Sequence, residues 1–523
     1  MTRVVSRAVG DPGEVAVWSQ PRDDLVRERP VEEDNGEVFQ ALEGPFRRYR
    51  REVRAEPLPD GRVAATSTTT FDLAVPYFGR LFAVPVRRAL RRPPGAHRTP
   101  WWAPPDRLDP RAASVLGVMA AASVIAGYLG TLLTQTVTYA ARDFGVADVR
   151  PQGYTLAAVR AGVLLAVVLV AVADRRGRRP LLIVCAVGGC LAAATGALAP
   201  SLPWLGATQL VARAFSTALA VLIGIVAAEE MPRSSRAYAV SVLGMAGGLG
   251  AGLCVLALPL ADLGTGGWRV VYLLPLAALP LTRSIARLLP ESRRFTVART
   301  GVAMRGNSRR LVLLAASAFL LAVFTTPASQ FQNEFLRDER GFSAARISLL
   351  TLLTNTPGAI GVVVGGRLAD VRGRRLVGAV GLAGGVGATV LMFASNGWPL
   401  WAWSVVGAVV GGAVLPALGV YGPELFPTSL RGRANGVIGI VGVAGGILGL
   451  LVAGNLSDRL GGLGPALTVL SLGPAVLVVL VLAAYPETAH RELEELNPQD
   501  VSPAAPAPAP TPPPPSPPSG RRP

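Results

Sequence analysis

Hydrophobic residues in this chain are gathered into long stretches that contain no Asp, Glu or Arg. Such stretches lie at 112–141, 180–212, 237–261, 311–333, 376–423 and 460–486. A helix needs about 20 apolar residues to cross a bilayer, so each stretch has room for one or two spans. With the shorter runs between them they predict twelve membrane-spanning helices, centred on 113–137, 153–173, 180–199, 203–228, 237–260, 268–289, 311–335, 346–369, 376–395, 399–423, 435–456 and 464–485. The predicted fold class is therefore an all-α integral membrane protein.

The composition fits this interpretation. Hydrophobic residues make up 50% of the chain and charged residues 16%, against about 25% charged in soluble globular proteins. The absence of lysine from the sequence excludes a P-loop nucleotide site and a Schiff-base enzyme. The two histidines lie outside the apolar stretches and the three cysteines lie inside them. The sequence therefore lacks the residues for a zinc site, a disulfide framework or a Cys–His nucleophile. We expect no cofactor, no bound metal and no enzymatic activity.

The net charge of +17 is carried by the membrane region. Residues 111–489 hold 30 Arg and 14 acidic residues, whereas 1–110 and 490–523 are nearly neutral. This distribution is typical of orientation signals and does not favour a nucleic-acid partner. Loops after even-numbered spans hold 17 Arg, and loops after odd-numbered spans hold 7. We therefore expect a multi-pass protein of the cytoplasmic membrane with both termini in the cytoplasm.

Polar segments flank the spans. We expect a cytoplasmic extension at 1–110, a six-helix half at 111–290, a cytoplasmic linker at 291–310, a second six-helix half at 311–489, and a disordered, proline-rich tail at 490–523. In the extension, Pro59-Asp60-Gly61 between two strand-like segments predicts a β-hairpin. Residues 76–92 mix aromatic and arginine side chains and predict an amphipathic helix, which could lie on anionic lipid or pack on the hairpin.

Three short motifs recur at an offset of 195 or 196 residues. They are D-R-R-G-R-R at 174–179 and D-V-R-G-R-R at 370–375, E-x-x-P-x-x-x-R at 229–236 and again at 424–431, and P-E-S at 290–292 and P-E-T at 486–488. Three repeats in the same register indicate duplication of a six-span unit. All six copies fall on the predicted cytoplasmic side.

With these motifs the chain resembles the major facilitator superfamily of transporters, nearest its sugar-porter and metabolite–proton symporter branches. The resemblance covers about 111–489 and implies two pseudo-symmetric halves that rock around a central site. It also implies that carboxylates and arginines on the repeated loops form a conformational latch that closes the cytoplasmic side. The latch residues would be Asp174, Arg178, Arg179, Glu229, Arg236, Glu291, Asp370, Arg374, Arg375, Glu424, Arg431 and Glu487. Orientation signalling alone would explain some of the arginines but not the six carboxylates.

Polar residues form one stripe on the first span and another on the seventh, at helical spacing. The first stripe is Tyr128, Thr131, Gln135, Thr138 and Arg142. The second is Thr326, Gln330, Asn333 and Arg337, with Pro327 interrupting the helix and Glu334 beside the stripe. Two such stripes predict either a substrate cavity or interhelical hydrogen bonds without a ligand. The candidate cavity residues are Tyr128, Thr131, Gln135, Arg213, Thr326, Gln330, Asn333, Glu334 and Asn355.

Two arginines lie deep in the predicted spans. Arg213 in the fourth span and Arg160 in the second are each roughly 20 Å from the cytoplasmic end of their helix, at about 1.5 Å per residue. Arg213 stands where the superfamily often has an arginine linked to proton movement or substrate contact. Arg160 could face a wet cavity or reach the outer surface. Glu334 is the best candidate for a titrating group, although its position near the outer end also fits a hydrated carboxylate.

We therefore expect a secondary active or facilitative transporter of a small polar or organic-anion metabolite, with protons as a candidate coupling ion. The first span lacks the acidic residue of proton-coupled relatives, and the seventh lacks the paired glutamines of sugar porters. A membrane sensor or scaffold that uses residues 1–110 as its output domain is the alternative from another class, and a drug or metabolite effluxer is a third. The expected partners are a small-molecule substrate and anionic lipids, and the protein is expected to act as a monomer.

Overall fold

The computed structural model of the protein describes residues 1–31, 37–94, 100, 102–104, 106–146, 148–232, 235–289, 307–426 and 430–488. Glu291, most of the predicted linker 291–310 and the predicted tail 490–523 lie outside the described residues. The backbone but not the side chain is described for five of the predicted latch residues, namely Asp174, Glu229, Arg236, Asp370 and Arg431.

The amino-terminal extension contains an antiparallel sheet of five strands in the order β1-β5-β4-β3-β2. The strands are β1 Thr2–Gly10, β2 Arg27–Val31, β3 Glu37–Glu43, β4 Phe46–Pro57 and β5 Val63–Leu73. A short helix α1, Pro12–Val15, and a 3₁₀ turn, Ala16–Ser19, follow β1. The strands β4 and β5 pair along their length across the turn that contains Pro59-Asp60-Gly61. Three further strands, which the sequence analysis did not predict, complete the sheet.

One face of the sheet is covered by helix α2, Gly79–Leu90. Val86 and Leu90 on the inner face of α2 pack against Val4, Phe46 and Phe71 of the sheet. The buried side chain of Arg22 donates to the Leu90 and Arg92 carbonyl oxygens, and so caps the end of α2. These contacts join strands and helix into one amino-terminal domain, 1–92.

A buried ion pair lies inside this domain. Arg51 donates from Nη2 to Oε2 of Glu28 at 2.6 Å and from Nε to Oε1 at 2.9 Å, and both side chains have at most 1% of their surface exposed. The remaining Arg51 nitrogen donates to the Trp18 carbonyl, and the Tyr49 hydroxyl donates to Glu28 at 2.6 Å. Burial, followed by the negative charge of Glu28, raises the pKa of Tyr49 well above its ordinary value.

Twelve helices of the described chain are long and apolar enough to cross a membrane, as predicted. Spans 1 to 6 are the helices Pro110–Asp143, Val149–Arg176, Arg178–Thr195, Leu202–Glu230, Arg236–Ala257 and the pair Trp268–Leu273 with Leu279–Leu288. Spans 7 to 12 are Ser308–Gln330 continued by Gln332–Glu334, Ala344–Arg372, Arg374–Ala394, Gly397–Gly412 continued by Val414–Leu418, Arg431–Leu460, and Leu463–Leu470 continued by Leu472–Ala484. A short helix, Tyr421–Glu424, precedes span 11.

The spans pack closely where glycine removes the side chain. A Cβ atom on Gly250 of span 5 would overlap the Val124 carbonyl oxygen of span 1, and one on Gly127 would overlap the Gly247 carbonyl. In the second half, a Cβ atom on Gly445 of span 11 would lie 2.5 Å from the Phe319 carbonyl oxygen of span 7. Spans 1 and 5 and spans 7 and 11 occupy matching places in the repeat, so both copies use the same close helix contact.

The chain divides into two compact units. Unit 1 comprises Met1–Arg299, Thr326–Leu352 and Ile447–Ala466, and unit 2 comprises Thr300–Thr325, Leu353–Gly446 and Leu467–Pro523. Unit 1 therefore contains the amino-terminal domain, the first six spans, and the ends of spans 7, 8, 11 and 12 that lie away from the repeated loops. Unit 2 holds the rest of the second half.

Candidate functional site

The polar stripes of spans 1 and 7 face each other inside unit 1. The Thr134 hydroxyl donates to Oε1 of Gln330 at 2.6 Å, and the Asn333 amide donates to the side-chain and backbone oxygens of Gln135 at 3.0 Å. The helix of span 7 is interrupted between Gln330 and Gln332, close after Pro327. These four residues, Thr134, Gln135, Gln330 and Asn333, form what we call the span 1–span 7 contact. In this structure their side chains form hydrogen bonds with one another.

Glu334 lies next to this contact and is buried, with 2% of its surface exposed. Its Oε1 accepts a hydrogen bond from Gln152 of span 2 at 2.9 Å. Within the described residues, Oε2 makes no hydrogen bond of ordinary geometry, although the Thr138 hydroxyl lies close enough to interact with the carboxyl. The charged neighbours whose fields reach the carboxyl are Arg142 and Glu339, and Arg142 is paired with Asp338. The side chain is therefore enclosed by protein.

Ion pairs surround the span 1–span 7 contact at the ends of the spans away from the repeated loops. Arg142 of span 1 pairs with Asp338 at the end of span 7. Two more pairs join the halves at this level: Arg150 to Asp458 at 3.2 Å, and Arg337 to Asp262 at 3.5 Å. Arg337 also stacks on the ring of Tyr139, with 4.1 Å between its guanidinium carbon and the ring centroid. The first-half and second-half spans are thus fastened together within unit 1.

Several of these residues were missed by the sequence analysis although the repeat contained a signal for them. Asp262 and Asp458 stand 196 residues apart, as do Asp143 and Glu339. Each member of the second pair supports the start of a later span. Asp143 accepts hydrogen bonds from Trp268 and Arg269, and Glu339 accepts one from the Leu463 amide.

Deeper in unit 1, Arg160 and Arg213 line the same small cavity. Nη1 of Arg213 donates to the Gly130 carbonyl of span 1 at 2.8 Å. The Nε atoms of Arg160 and Arg213 are buried without a hydrogen-bond partner in the described chain. The other polar residues lining the cavity are Thr134, Gln209 and Gln330, and its volume is about 20 Å³. The guanidiniums are close enough to feel each other's charge, and no described carboxylate forms an ion pair with either.

The remaining predicted cavity residues make other contacts. The Tyr128 hydroxyl donates to the Val271 carbonyl at 2.8 Å, and the Thr131 hydroxyl donates to Gly127 of its own helix. Thr326 is buried in span 7. Asn355 is exposed on span 8 and belongs to unit 2. These four residues are therefore not gathered around the two arginines.

Of the predicted latch, unit 2 shows one connected cluster. Arg374 pairs with Glu424 and donates to Thr488 at 3.1 Å, while Glu487 accepts from the backbone amides of Arg374 and Arg375. The chain turns at Gly373 with φ of +98°, which favours glycine, and this turn points both amides at Glu487. In unit 1, Arg178 is buried and Arg179 donates to the Ala286 carbonyl. All these contacts tie spans of the same half together.

Solved structures with the same arrangement of helices are transporters. An inward-open structure of the xylose transporter XylE of E. coli aligns with a TM-score of 0.62 at 17% identity, covering 74% of this chain and 99% of that one. An occupied, inward-facing bacterial homologue of the human lysosomal transporter Spinster aligns with a TM-score of 0.60 at 16% identity, covering 76% and 100%. At such identities the alignments establish the fold alone.

The family model of the Major Facilitator Superfamily matches residues 312–514. By this match the second half of the chain is similar to that superfamily. A gallate transporter of Pseudomonas putida is 29% identical to this protein in an alignment of 364 residues that covers 60% of this chain and 78% of that protein. The residues matched by the family model do not include the amino-terminal sheet.

Proposed function

We propose that this major facilitator transporter carries a small organic anion and that Arg160 and Arg213 bind its carboxylate. The observation that carries the proposal is the pair of guanidiniums in one cavity at membrane depth without a described carboxylate to pair with either. A cation inside a membrane protein is costly unless it meets an opposite charge or water. A transported anion would supply that charge, and two arginines can each form paired hydrogen bonds with a carboxylate.

The polar residues beside the arginines support a substrate that also carries hydroxyl groups. Gln209, Thr134 and Gln330 line the same cavity and offer both donors and acceptors. The Pseudomonas putida relative is named for gallate, an aromatic carboxylate with hydroxyl groups. The cavity has room for about one water molecule, so an anion would enter as the Thr134–Gln330 hydrogen bond opens. Hydroxylated aromatic acids are therefore the first substrates to test.

Protons are the coupling ion that we favour, with Glu334 as their binding residue. Its carboxyl group is enclosed by protein and accepts a hydrogen bond from Gln152, so it can hold a proton away from solvent. Gln330 of the cavity and Glu334 lie four residues apart on span 7, so a movement of this span that admits substrate would also expose the carboxyl. This link would couple proton release to substrate movement.

We place both termini in the cytoplasm and the repeated loops on the same side of the cytoplasmic membrane. The excess of arginine in loops after even-numbered spans supports this orientation. The span 1–span 7 contact would then close the external side. The predicted latch on the repeated loops would close the internal side by pairing across the halves in the opposite state.

Uptake by purified protein in lipid vesicles tests the substrate class. Labelled gallate and related hydroxybenzoates should enter the vesicles, whereas xylose should not. Arg213→Gln should raise KM for the anion roughly 100-fold, because a buried charge pair is worth about 2–5 kcal/mol. Arg346→Gln is the matched control, since Arg346 is exposed and stacks on Phe342 away from the cavity.

Three results would contradict the proposal. Unchanged anion kinetics in Arg213→Gln would remove this residue from the binding site. Flux of neutral solutes with no anion flux would point to another substrate class. Absence of flux for every solute, with ligand-dependent changes in the amino-terminal domain, would instead favour the sensor.

A further inference from the structure

Helix α2 presents an apolar and basic face outward from the amino-terminal domain. Its inner face is taken by contacts with the sheet, but Leu81 and Val84 have 68% and 63% of their surfaces exposed. Both lie on one side of the helix, about a turn apart. Four exposed arginines flank them on the same side: Arg80, Arg87, Arg88 and Arg91. Exposed aliphatic side chains ringed by cations are typical of helices that lie in a membrane surface.

Contacts just before α2 set the level at which the helix meets the membrane spans. The Tyr77 hydroxyl donates to the Ser284 hydroxyl of span 6 at 2.7 Å. Pro76 lies against Gly117 of span 1, where a Cβ atom would come within 2.9 Å of the Pro76 ring. Ser284 is four residues from the end of its span, and Gly117 is seven residues from the start of span 1. The start of α2 is therefore held within about 10 Å of the span ends, at 1.5 Å per helical residue.

A basic cleft opens between α2 and the edge of the sheet. Its volume is about 810 Å³, and its lining includes Arg47 from β4 together with Arg80 and Arg87 from α2. Asp72 is the acidic residue in the lining. None of the three arginines forms an ion pair in the part of the chain that the structure describes. Three cations against one carboxylate leave the cleft positively charged.

We propose that this cleft binds the phosphate headgroup of an anionic membrane phospholipid, with Leu81 and Val84 inserted among the neighbouring acyl chains. Tyr77 and Val84 line the cleft and also belong to the outer side of the α2 segment, so a bound headgroup and an inserted α2 would occupy the same stretch of membrane surface. The cleft is large enough for a headgroup, and its charge matches a phosphodiester. An acidic protein would match the charge, but it would not account for aliphatic residues held at the level of the span ends.

A depth measurement on the full-length protein tests the insertion of α2. The three native cysteines are buried, so a bimane dye can be attached to a single new surface cysteine in Leu81→Cys. Val5→Cys is the matched control, since Val5 is an exposed aliphatic residue of the same domain on the other face of the sheet. In vesicles that contain phosphatidylglycerol and spin-labelled acyl chains, the dye at 81 should be quenched and the dye at 5 should not. Equal quenching at both positions, or none at 81, would overturn the insertion.

A lipid analysis tests the headgroup site. Full-length protein with Arg47→Gln, Arg80→Gln and Arg87→Gln should retain about ten-fold less phosphatidylglycerol relative to phosphatidylcholine than the unmodified chain. The triple variant Arg3→Gln, Arg7→Gln and Arg54→Gln removes the same charge from exposed residues outside the cleft and should retain the unmodified ratio. Hydrogen exchange in β4 reports whether each variant keeps the fold. Equal loss in both folded triple variants would show non-specific attraction and would overturn the site.

A competition experiment separates the lipid from a free anion. Inorganic phosphate added to protein in detergent should leave exchange in α2 unchanged, whereas phosphatidylglycerol should slow it. Protection by inorganic phosphate equal to that by phosphatidylglycerol would assign the cleft to a soluble phosphate and overturn the lipid assignment. None of these readouts measures transport. Failure of the proposed substrate would therefore leave the lipid-binding results unchanged.

Discussion

Glu28 and Arg51 show what a buried charge requires in this molecule. Both side chains are enclosed in the amino-terminal domain. Each carboxylate oxygen of Glu28 accepts a hydrogen bond, and each guanidinium nitrogen of Arg51 donates one. Arg160 and Arg213 are half-buried in spans 2 and 4, and their Nε atoms are buried without such partners in the described chain. The first pair is therefore complete within the fold, whereas each of these two arginines keeps a nitrogen atom that no described residue satisfies.

The complete pair gives a stability prediction. Glu28→Gln leaves the Arg51 cation buried beside a neutral amide and should lower the free energy of unfolding of the domain by about 3–5 kcal/mol. Hydrogen exchange of β4 in the full-length protein measures this change. Arg50→Gln removes an ion pair with Glu52 whose side chains are 42% and 39% exposed, and should cost less than about 1 kcal/mol. Equal effects of the two substitutions would contradict the role of burial.

Glu334 gives a prediction about pH. A carboxyl that carries a proton inward with the substrate must be protonated from outside in each cycle, so uptake by the unmodified protein should be faster when the external solution is more acidic. Glu334→Gln keeps the shape and the Gln152 contact but cannot release a proton, and its uptake should lose this dependence. Asp60→Asn, which removes an exposed carboxylate of the amino-terminal domain paired with Arg62, should retain it. Vesicle uptake at two external pH values decides, and a pH-dependent Glu334→Gln variant would remove Glu334 from the coupling.

At the scale of elements, hydropathy predicted the twelve spans because each is a long apolar run. Strands β1 to β3 escaped prediction for physical reasons. In β1 valines point to both faces, Val4 inward and Val5 outward, so the polar and apolar residues do not alternate cleanly. Strand β2 contains Pro30, which is tolerated because β2 is the edge of the sheet. Both β1 and β2 form strands because of their neighbours in the sheet, and not because of their own pattern of polar and apolar residues.

The glycines of span 5 give a prediction about helix packing. Gly250→Ala places a Cβ atom on the Val124 carbonyl oxygen, so spans 1 and 5 must separate and the Tm of the detergent-solubilised protein should fall by several degrees. Gly248→Ala makes the same chemical change in the same helix where no atom lies within 4 Å, and should leave Tm within about a degree. A thermal unfolding series compares the two. Matching Tm values would show that the close approach is dispensable.

At the scale of the whole molecule, the repeat predicted two halves, and the loop motifs and the polar stripes were visible in the sequence. The stripes were correctly placed on spans 1 and 7, but the sequence could not say that Thr134 would meet Gln330 or that Gln135 would meet Asn333. Hydrogen-bond partners between spans depend on how helices rotate and cross, which periodicity leaves open. The same limit applies to Arg160. The sequence could not show whether its side chain faces a cavity or reaches the outer surface.

The pair between Arg142 and Asp338 gives a prediction about the connection between first-half and second-half spans in unit 1. Arg142→Asp sets two carboxylates against each other and should increase the labelling rate of a cysteine at Thr134 by a soluble thiol reagent several-fold. Adding Asp338→Arg restores opposite charges in swapped order and should return the rate to its original value. Arg346→Gln, outside this contact, is the control. A double variant that labels as fast as the single one would contradict a pairwise contact.

Thr134 and Gln330 are 196 residues apart, and so are Arg142 and Asp338, which is the offset of the repeat itself. Each of these contacts therefore joins one ancestral position to its own copy. In a symmetric homodimer of the unduplicated unit, such a position would meet an identical residue, and arginine would face arginine. Two copies within one chain are free of that self-complementarity, because each can change without the other. The salt bridge between Arg142 and Asp338 therefore depends on a difference between the two copies.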